Sequence, residues 1–313
     1  MYAFMLVLPL MIIIALGNVL KTKGFYSKDD ISVLTKTLYW VILPPLFFTT
    51  AYGSGDELLR QTNLFFASSV CFAATIAFAW IISYFFIHRG MKRRVAVSVI
   101  SSIRSNNVYI GFPVILLALG EAGLKHASVY VAVTAISFQL MSITASELVM
   151  SGRLGLRELW SMFVQVLKNP MVFTCLSGVA LAVAGVPMPA ALGEAMRLLG
   201  AAATAVALLS LGGSIDFSSV GKVVKIIRET FFDCMVRVLV CPLLMWFCFS
   251  IWPVGGELAR VSVLLTAMPA AVNVFILSKE MHMDEEYGAK LVAATTALSA
   301  VTIPVWAIVL GVV

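Results

Sequence analysis

The sequence predicts an all-α polytopic membrane protein of ten transmembrane helices, arranged as two inverted five-helix repeats in which helices 4 and 9 are broken and cross. Three observations predict it: an apolar composition, a repeat with an odd number of spans, and matching interruptions in the fourth span of each repeat. Of 313 residues, 61% are hydrophobic and 12% charged, and the mean hydropathy is +0.99. A domain that needs a water-facing surface does not have this composition.

A helix needs about 20 apolar residues to cross hydrocarbon about 30 Å thick. Apolar runs place spans near 3–20, 33–51, 62–87, 96–119, 127–150, 170–186, 191–215, 230–252, 259–279 and 287–312. The first run has no basic region before it and no small-residue cleavage site after it, so it reads as a retained span, not a signal peptide. Residues 1–150 form the first five-span unit and 170–313 the second. Between them, 151–169 read as an amphipathic linker lying along the inner membrane surface.

The loops set the orientation. Lys21, Lys23, Lys28, Lys36, Arg89, Lys92, Arg93, Arg94, Arg153, Arg157, Lys168, Lys222, Lys225, Arg228, Lys279 and Lys290 fall on alternate loops, against Arg60, Lys125, Arg197 and Arg260 on the others. Positive loops stay inside, so both termini are expected outside. This asymmetry accounts for the net charge of +6 without nucleic acid. Cys71, Cys175, Cys234, Cys241 and Cys248 lie within apolar runs with no accompanying histidine, so they read as packing residues and no metal or other cofactor is expected.

Aligning the first span with the sixth at an offset of 161 places Pro9 on Pro170, Gly17 on Gly178, Leu20 on Leu181 and Gly24 on Gly185. The fifth and tenth align at 162, with Thr134 on Thr296 and Ser137 on Ser299. Five spans per repeat make the second copy enter from the opposite face, which is the architecture of secondary transporters.

The fourth span carries "SNNVYIGFP" and the ninth "AMPAAVNVF". Gly111, Pro113 and Pro269 disfavour continuous helix, and a broken span survives in lipid only where protein or a polar cavity satisfies its backbone. The two breaks are therefore expected to meet. The second half-helices, after Pro113 and Pro269, would aim partially positive N-termini at mid-membrane, which suits a carboxylate. The C-terminal carbonyls of the first halves suit a cation or the neutral part of a substrate. Asn106, Asn107 and Asn273 add amide donors and acceptors at this depth.

Ionisable residues within spans are costly and point to function. Arg104 precedes the first break, where a guanidinium matches a carboxylate in two-pronged fashion. Asp233 and Arg237 are one helical turn apart and read as an intrahelical ion pair, with Asp233 or Glu147 as alternatives for a coupling carboxylate. Thr134, Ser137, Gln139, Thr296 and Ser299 line a cavity or bond between helices. No hydrolytic or phosphate-cradling motif stands in a credible setting, so no enzyme is predicted, and energy is expected to come from ion or substrate gradients or from a partner.

The residues Asn106, Tyr109, Gly111 and Pro113, with the segments "LPPLFF", "GEAGLKHASVYVAV", "KNPMVFTCLSGVAL", "ALLSLGGSI" and "MPAAVNVFILSKEM", resemble in order those of the auxin efflux carrier family. Bacterial malonate and malate permeases and plant PIN-type carriers are its members. The resemblance spans nearly the whole chain. It implies a fold like that of bile-acid sodium symporters: a scaffold of 1–51 plus 170–215, and a transport core of 62–150 plus 230–313 that moves against it. Asn107, Val108 and Arg104 depart from the family pattern. The resemblance implies a multi-pass carrier of small organic anions, mono- or dicarboxylates or auxin-like acids, in the bacterial inner membrane. Its expected partners are that anion, membrane lipid and, as an assembly, a homodimer. The alternative is a transporter-like sensor that binds a small ligand without moving it.

Overall fold

The computed structural model describes residues 2–53, 61–151, 160, 164, 170–214 and 220–312. Among these the chain is helical. In order, α1 (Tyr2–Thr22) is followed by α2 (Lys28–Thr37) and α3 (Leu43–Gly53), then by α4 (Thr62–Ile82), α5 (Lys92–Ile103) and α6 (Phe112–Ser151). The second half holds α7 (Pro170–Val183), α8 (Ala190–Ala201), α9 (Ala203–Ser214), α10 (Val220–Met235), α11 (Cys241–Ile251), α12 (Gly256–Thr266), α13 (Asn273–Glu280) and α14 (Glu285–Val309). The predicted linker lies almost wholly outside the described residues.

Among the described residues, five helical stretches, Asp29–Gly53, Thr62–Ile87, Asn107–Thr134, Ile226–Ile251 and Glu285–Val309, are long and apolar enough to cross a bilayer. The third is divided at Gly120, whose φ of 65° and ψ of −157° leave the helical region and suit a residue without Cβ. Large apolar side chains such as Phe65, Phe85, Phe86, Phe247, Val301 and Ile308 face outward. In water these would be an aggregation hazard, but against lipid they face a solvent that matches them.

Local chemistry sets the helix ends. Ser27 caps α2 and exchanges hydrogen bonds with Asp30, while the Asp284 carboxylate accepts from the Tyr287 N–H to start α14. Three prolines are met by widening, whereas Pro304 lies inside α14 with no such turn before it. Single π turns cover Leu38–Ile42, Asn107–Gly111 and Val236–Val240, and each ends two residues before a proline, Pro44, Pro113 or Pro242. In each, the residue preceding the proline donates five positions back: Leu43 to Leu38, Phe112 to Asn107, Cys241 to Val236. The wider turn relieves the clash of the ring with the preceding turn, so the helix continues through the missing donor.

This corrects the expectation for the fourth span. Gly111 and Pro113 lie in the continuous second half-helix, and the interruption falls earlier, at residues 104–106. The role of Gly111 is close approach: a Cβ there would sit 2.7 Å from Leu265 Cδ2 and 3.3 Å from Met268 Cγ.

Two tight helix contacts join the halves. A Cβ on Gly17 in α1 would lie 2.3 Å from Leu209 O in α9, and one on Gly178 in α7 would lie 2.7 Å from Phe48 O in α3. Gly17 and Gly178 are separated by 161 positions, and so are Phe48 and Leu209. On the α1–α9 contact, a Cβ at Gly212 would meet the Ile14 carbonyl oxygen at 1.9 Å. Backbone cannot yield as a side chain can, so Gly212→Ala is expected to force the helices apart. The overpacking cost is about 1–3 kcal/mol, and the expected result is a lower melting temperature in detergent. An unchanged melting temperature would contradict this packing.

Candidate functional site at the helix crossing

Residues 104–106 separate α5 from the π turn that leads into α6, and residues 267–272 separate α12 from α13. The two unwound segments meet, with Ser105 opposite Ala270 in an isolated antiparallel bridge. The Asn106 N–H donates to Pro269 O at 2.8 Å, and the Ala271 N–H donates to Arg104 O at 2.9 Å. Ala270 N–H donates to Thr295 Oγ1 at 3.1 Å, from α14. Each break thus supplies the partners that the other lacks, which makes unwound backbone tolerable among apolar helices.

Asn106 sets the start of the following half-helix. Its Oδ1 accepts from the Tyr109 N–H at 3.2 Å, and its carbonyl accepts from the Gly111 N–H at 3.0 Å. At α13 the Val274 and Phe275 N–H groups donate to Ala271 O at 3.0 Å and Val272 O at 3.1 Å, and the aligned peptide dipoles leave both N-terminal ends partially positive.

The opposite ends are neutralised by a residue whose role the sequence did not show. Arg237, fully buried, donates through Nη1 to Ser102 O at 2.8 Å and through Nη2 to Thr266 O. These carbonyls lie in the last turns of α5 and α12, so one guanidinium satisfies the C-terminal ends of both first half-helices. The expected ion pair with Asp233 is corrected here. The widened turn carries Arg237 toward the crossing, while Asp233 Oδ2 accepts from Ser98 and Tyr287 and lies 3.3 Å from His88. The cation predicted to suit these carbonyls is supplied by the chain.

Arg104 is also fully buried, directly at the break. Its Nε donates to Ser142 Oγ at 3.0 Å, and its guanidinium carbon lies 5.3 Å from the centroid of the Phe138 ring. Among the described residues, neither Nη1 nor Nη2 has a hydrogen-bond partner, and both are buried. An unpaired guanidinium in such surroundings is expensive, and two free nitrogens on one edge match the two oxygens of a carboxylate. Asn106 Nδ2, Asn107 Oδ1 and Gln139 Oε1 are likewise buried and unpartnered among the described residues. Gln139 lies one turn from Ser142, on the helix against which Arg104 packs.

The other predicted residues divide. Pro269 contributes its carbonyl to the crossing, and Tyr109 is half-buried in the π turn. Asn273 is exposed at the start of α13. Ser137 is 3.0 Å from Ser69 Oγ and joins α6 to α4. Thr134, Thr296 and Ser299 return their hydroxyls to carbonyls of their own helices. Glu147 is half-buried toward the end of α6, away in sequence from the residues of the crossing.

Comparison with known proteins gives a consistent picture. The family described as "Membrane transport protein" matches residues 2–152 and 156–307. The chain is 26% identical over 314 residues to an "Uncharacterized transporter" of Methanothermobacter thermautotrophicus, covering 97% of each. It is 22% identical to the "Uncharacterized transporter YfdV" of Escherichia coli K12, over 96% of this chain and 95% of the relative. It is 23% identical to a "Putative malonate transporter" of Rhizobium meliloti, over 95% of this chain and 92% of the relative.

Proposed function

The chain belongs to the membrane transport protein family, in which the auxin efflux carriers fall, and from that premise we propose that it is a secondary carrier of small carboxylates. The substrate is held at the crossing and exposed alternately to the two faces of the bacterial inner membrane. The observation that carries the proposal is the Arg104 guanidinium, buried beside the break with Nη1 and Nη2 free. Two half-helix N-termini, together with Asn106 and Asn107, complete an environment that favours an anion.

The architecture behind this reading is ten spans in two inverted repeats, with both termini outside. The equivalence of the Gly17 and Gly178 contacts under one offset supports the repeat. The packing of α1 on α9 and of α3 on α7 supports a scaffold of 1–51 plus 170–215. The broken helices then belong to a core of 62–150 plus 230–313, whose movement past that scaffold carries the anion across. The malonate named for one relative makes a dicarboxylate the first substrate to test.

A thermal-stability screen of the purified protein with malonate, malate, lactate and an indole acid tests the proposal. A ligand that binds only the folded state raises stability by about 2.7 kcal/mol at 100 times its dissociation constant. A dicarboxylate should raise the melting temperature of the native chain and not that of Arg104→Gln. Equal shifts in both proteins would sink the assignment of Arg104, and binding without flux into liposomes would favour a sensor.

A further inference from the structure

A second buried constellation lies at the far end of α5 from Arg104. Asp233, on α10, accepts through Oδ2 from the Tyr287 hydroxyl at 2.5 Å and from Ser98 Oγ at 3.0 Å, with His88 Nε2 at 3.3 Å. Ser98 Oγ is also 3.1 Å from His88 Nε2 and 3.2 Å from Arg94 O. The His88 and Tyr287 rings meet edge to face, 5.1 Å between centroids. Asp233 Oδ1 is buried without a partner among the described residues. Side chains from the turn after α4, from α5, from α10 and from α14 converge on this carboxylate, and sequence separations of 135 and 145 positions hid them from any motif.

The charged and titratable neighbours on each element are mostly engaged elsewhere. On α5, Arg94 pairs with Asp284 at 2.9 Å and lies 5.2 Å from the Tyr287 ring centroid, while Arg93 donates to His282 O and Met283 O. On α10, Cys234 adjoins Asp233, Glu229 pairs with Lys290 of α14 at 3.2 Å, and Arg237 holds the half-helix ends. Lys290 also holds Glu286 at 2.8 Å. Asp284 titrates outside the neutral window. Its burial acts to raise the carboxyl, but the Tyr287 N–H and Arg94 overcome this and hold it below the usual value. The stability it adds is therefore complete above about pH 4 and is lost as pH falls through the lower folded value.

We propose that His88, Ser98, Asp233 and Tyr287 form a proton-binding site, and that a proton taken up there accompanies a divalent anion bound at Arg104. The proposal rests on the anion-carrier reading. Among the described residues the buried charged side chains are Arg104, Asp233 and Arg237, with His88 buried beside Asp233. With the imidazole neutral, these sum to one positive charge. A monocarboxylate cancels it, whereas a dicarboxylate leaves one negative charge that a proton on His88 restores to neutrality. A neutral loaded core crosses apolar surroundings at the least cost.

Ser98 follows the proton by turning its one hydroxyl hydrogen between His88 Nε2, Asp233 Oδ2 and Arg94 O, all within 3.2 Å. When His88 Nε2 is unprotonated, the Ser98 hydroxyl donates to it. When a proton from water occupies Nε2, that N–H donates to Asp233 Oδ2 and Ser98 turns its hydroxyl to Asp233 or Arg94 O. Imidazole is the side chain whose ordinary titration spans neutral pH. Arg237, one turn beyond Asp233, joins the charge of this site to the half-helix ends at the crossing.

Two measurements test the site. The first needs no substrate: melting temperatures of the purified native protein, Asp233→Asn and His88→Gln are followed from about pH 5 to pH 9. Both variants should lose the same pH-dependent component across the neutral range, and three parallel profiles would overturn the proposal. The second is dicarboxylate accumulation in liposomes under an imposed pH gradient. One coupled proton gives about a tenfold change in accumulation ratio per pH unit, a response that Asp233→Asn should lack whatever its rate. An unchanged gradient response in that variant would overturn the proposal. Absence of dicarboxylate flux in the native protein would instead count against the carrier reading, leaving the pH profiles to judge the proton site.

Discussion

Dicarboxylate flux through the Arg104→Gln protein is expected to fall by about two orders of magnitude or more. Removing one partner of a buried, hydrogen-bonded charge pair costs about 2–5 kcal/mol, and each 1.4 kcal/mol is about tenfold. Glutamine keeps an amide within the space but supplies neither the charge nor the paired donors of Nη1 and Nη2. The folded state should tolerate the change, because in the absence of substrate the buried guanidinium is itself a cost, met in part by Ser142 Oγ and the Phe138 ring. Flux measured in liposomes, with melting temperature as the control for folding, separates the two effects. Near-native flux in a well-folded variant would remove Arg104 from the substrate path.

Arg237→Met is expected to do the reverse and injure stability first. Two carbonyls, of Ser102 and Thr266, lose their donor while remaining buried at the ends of α5 and α12. Each unpaired buried group costs about 1–3 kcal/mol, so the pair amounts to about 2–6 kcal/mol. That is a large fraction of the 5–15 kcal/mol typical of a folded domain. Arg237→Lys should recover part of the loss, since an ammonium keeps the charge but not the forked geometry that reaches two helix ends. Thermal unfolding in detergent gives the comparison, and a native-like melting temperature for the methionine variant would contradict the clamp.

The contrast between these arginines shows what was legible in the sequence. Both are intramembrane cations, but Arg104 announced itself by standing next to a break, a local signal. The partners of Arg237 lie 135 and 29 positions away, and its i, i+4 spacing to Asp233 suggested a helical ion pair instead. The π turn at Val236–Val240 changes the direction in which Arg237 points, and helical periodicity cannot anticipate such a turn. The same limit misplaced the first interruption. Pro113 looked like the breaker because proline disrupts ideal α-helix, yet the widened turn before it absorbs the ring, and the chain leaves helix at Arg104. The second interruption at Pro269 was placed well, since no such turn precedes it and the backbone there is held by the other break. The neighbours of Asp233, His88 and Tyr287 among them, were invisible because tertiary packing alone unites them.

The most direct test of the central claim is a structure of the purified protein with a bound dicarboxylate. One carboxylate should lie within hydrogen-bonding distance of Arg104 Nη1 and Nη2, beside Asn106 and Asn107, with the Ser105 to Ala270 bridge intact. A dicarboxylate seated away from the crossing, with both Arg104 nitrogens still free, would contradict the account.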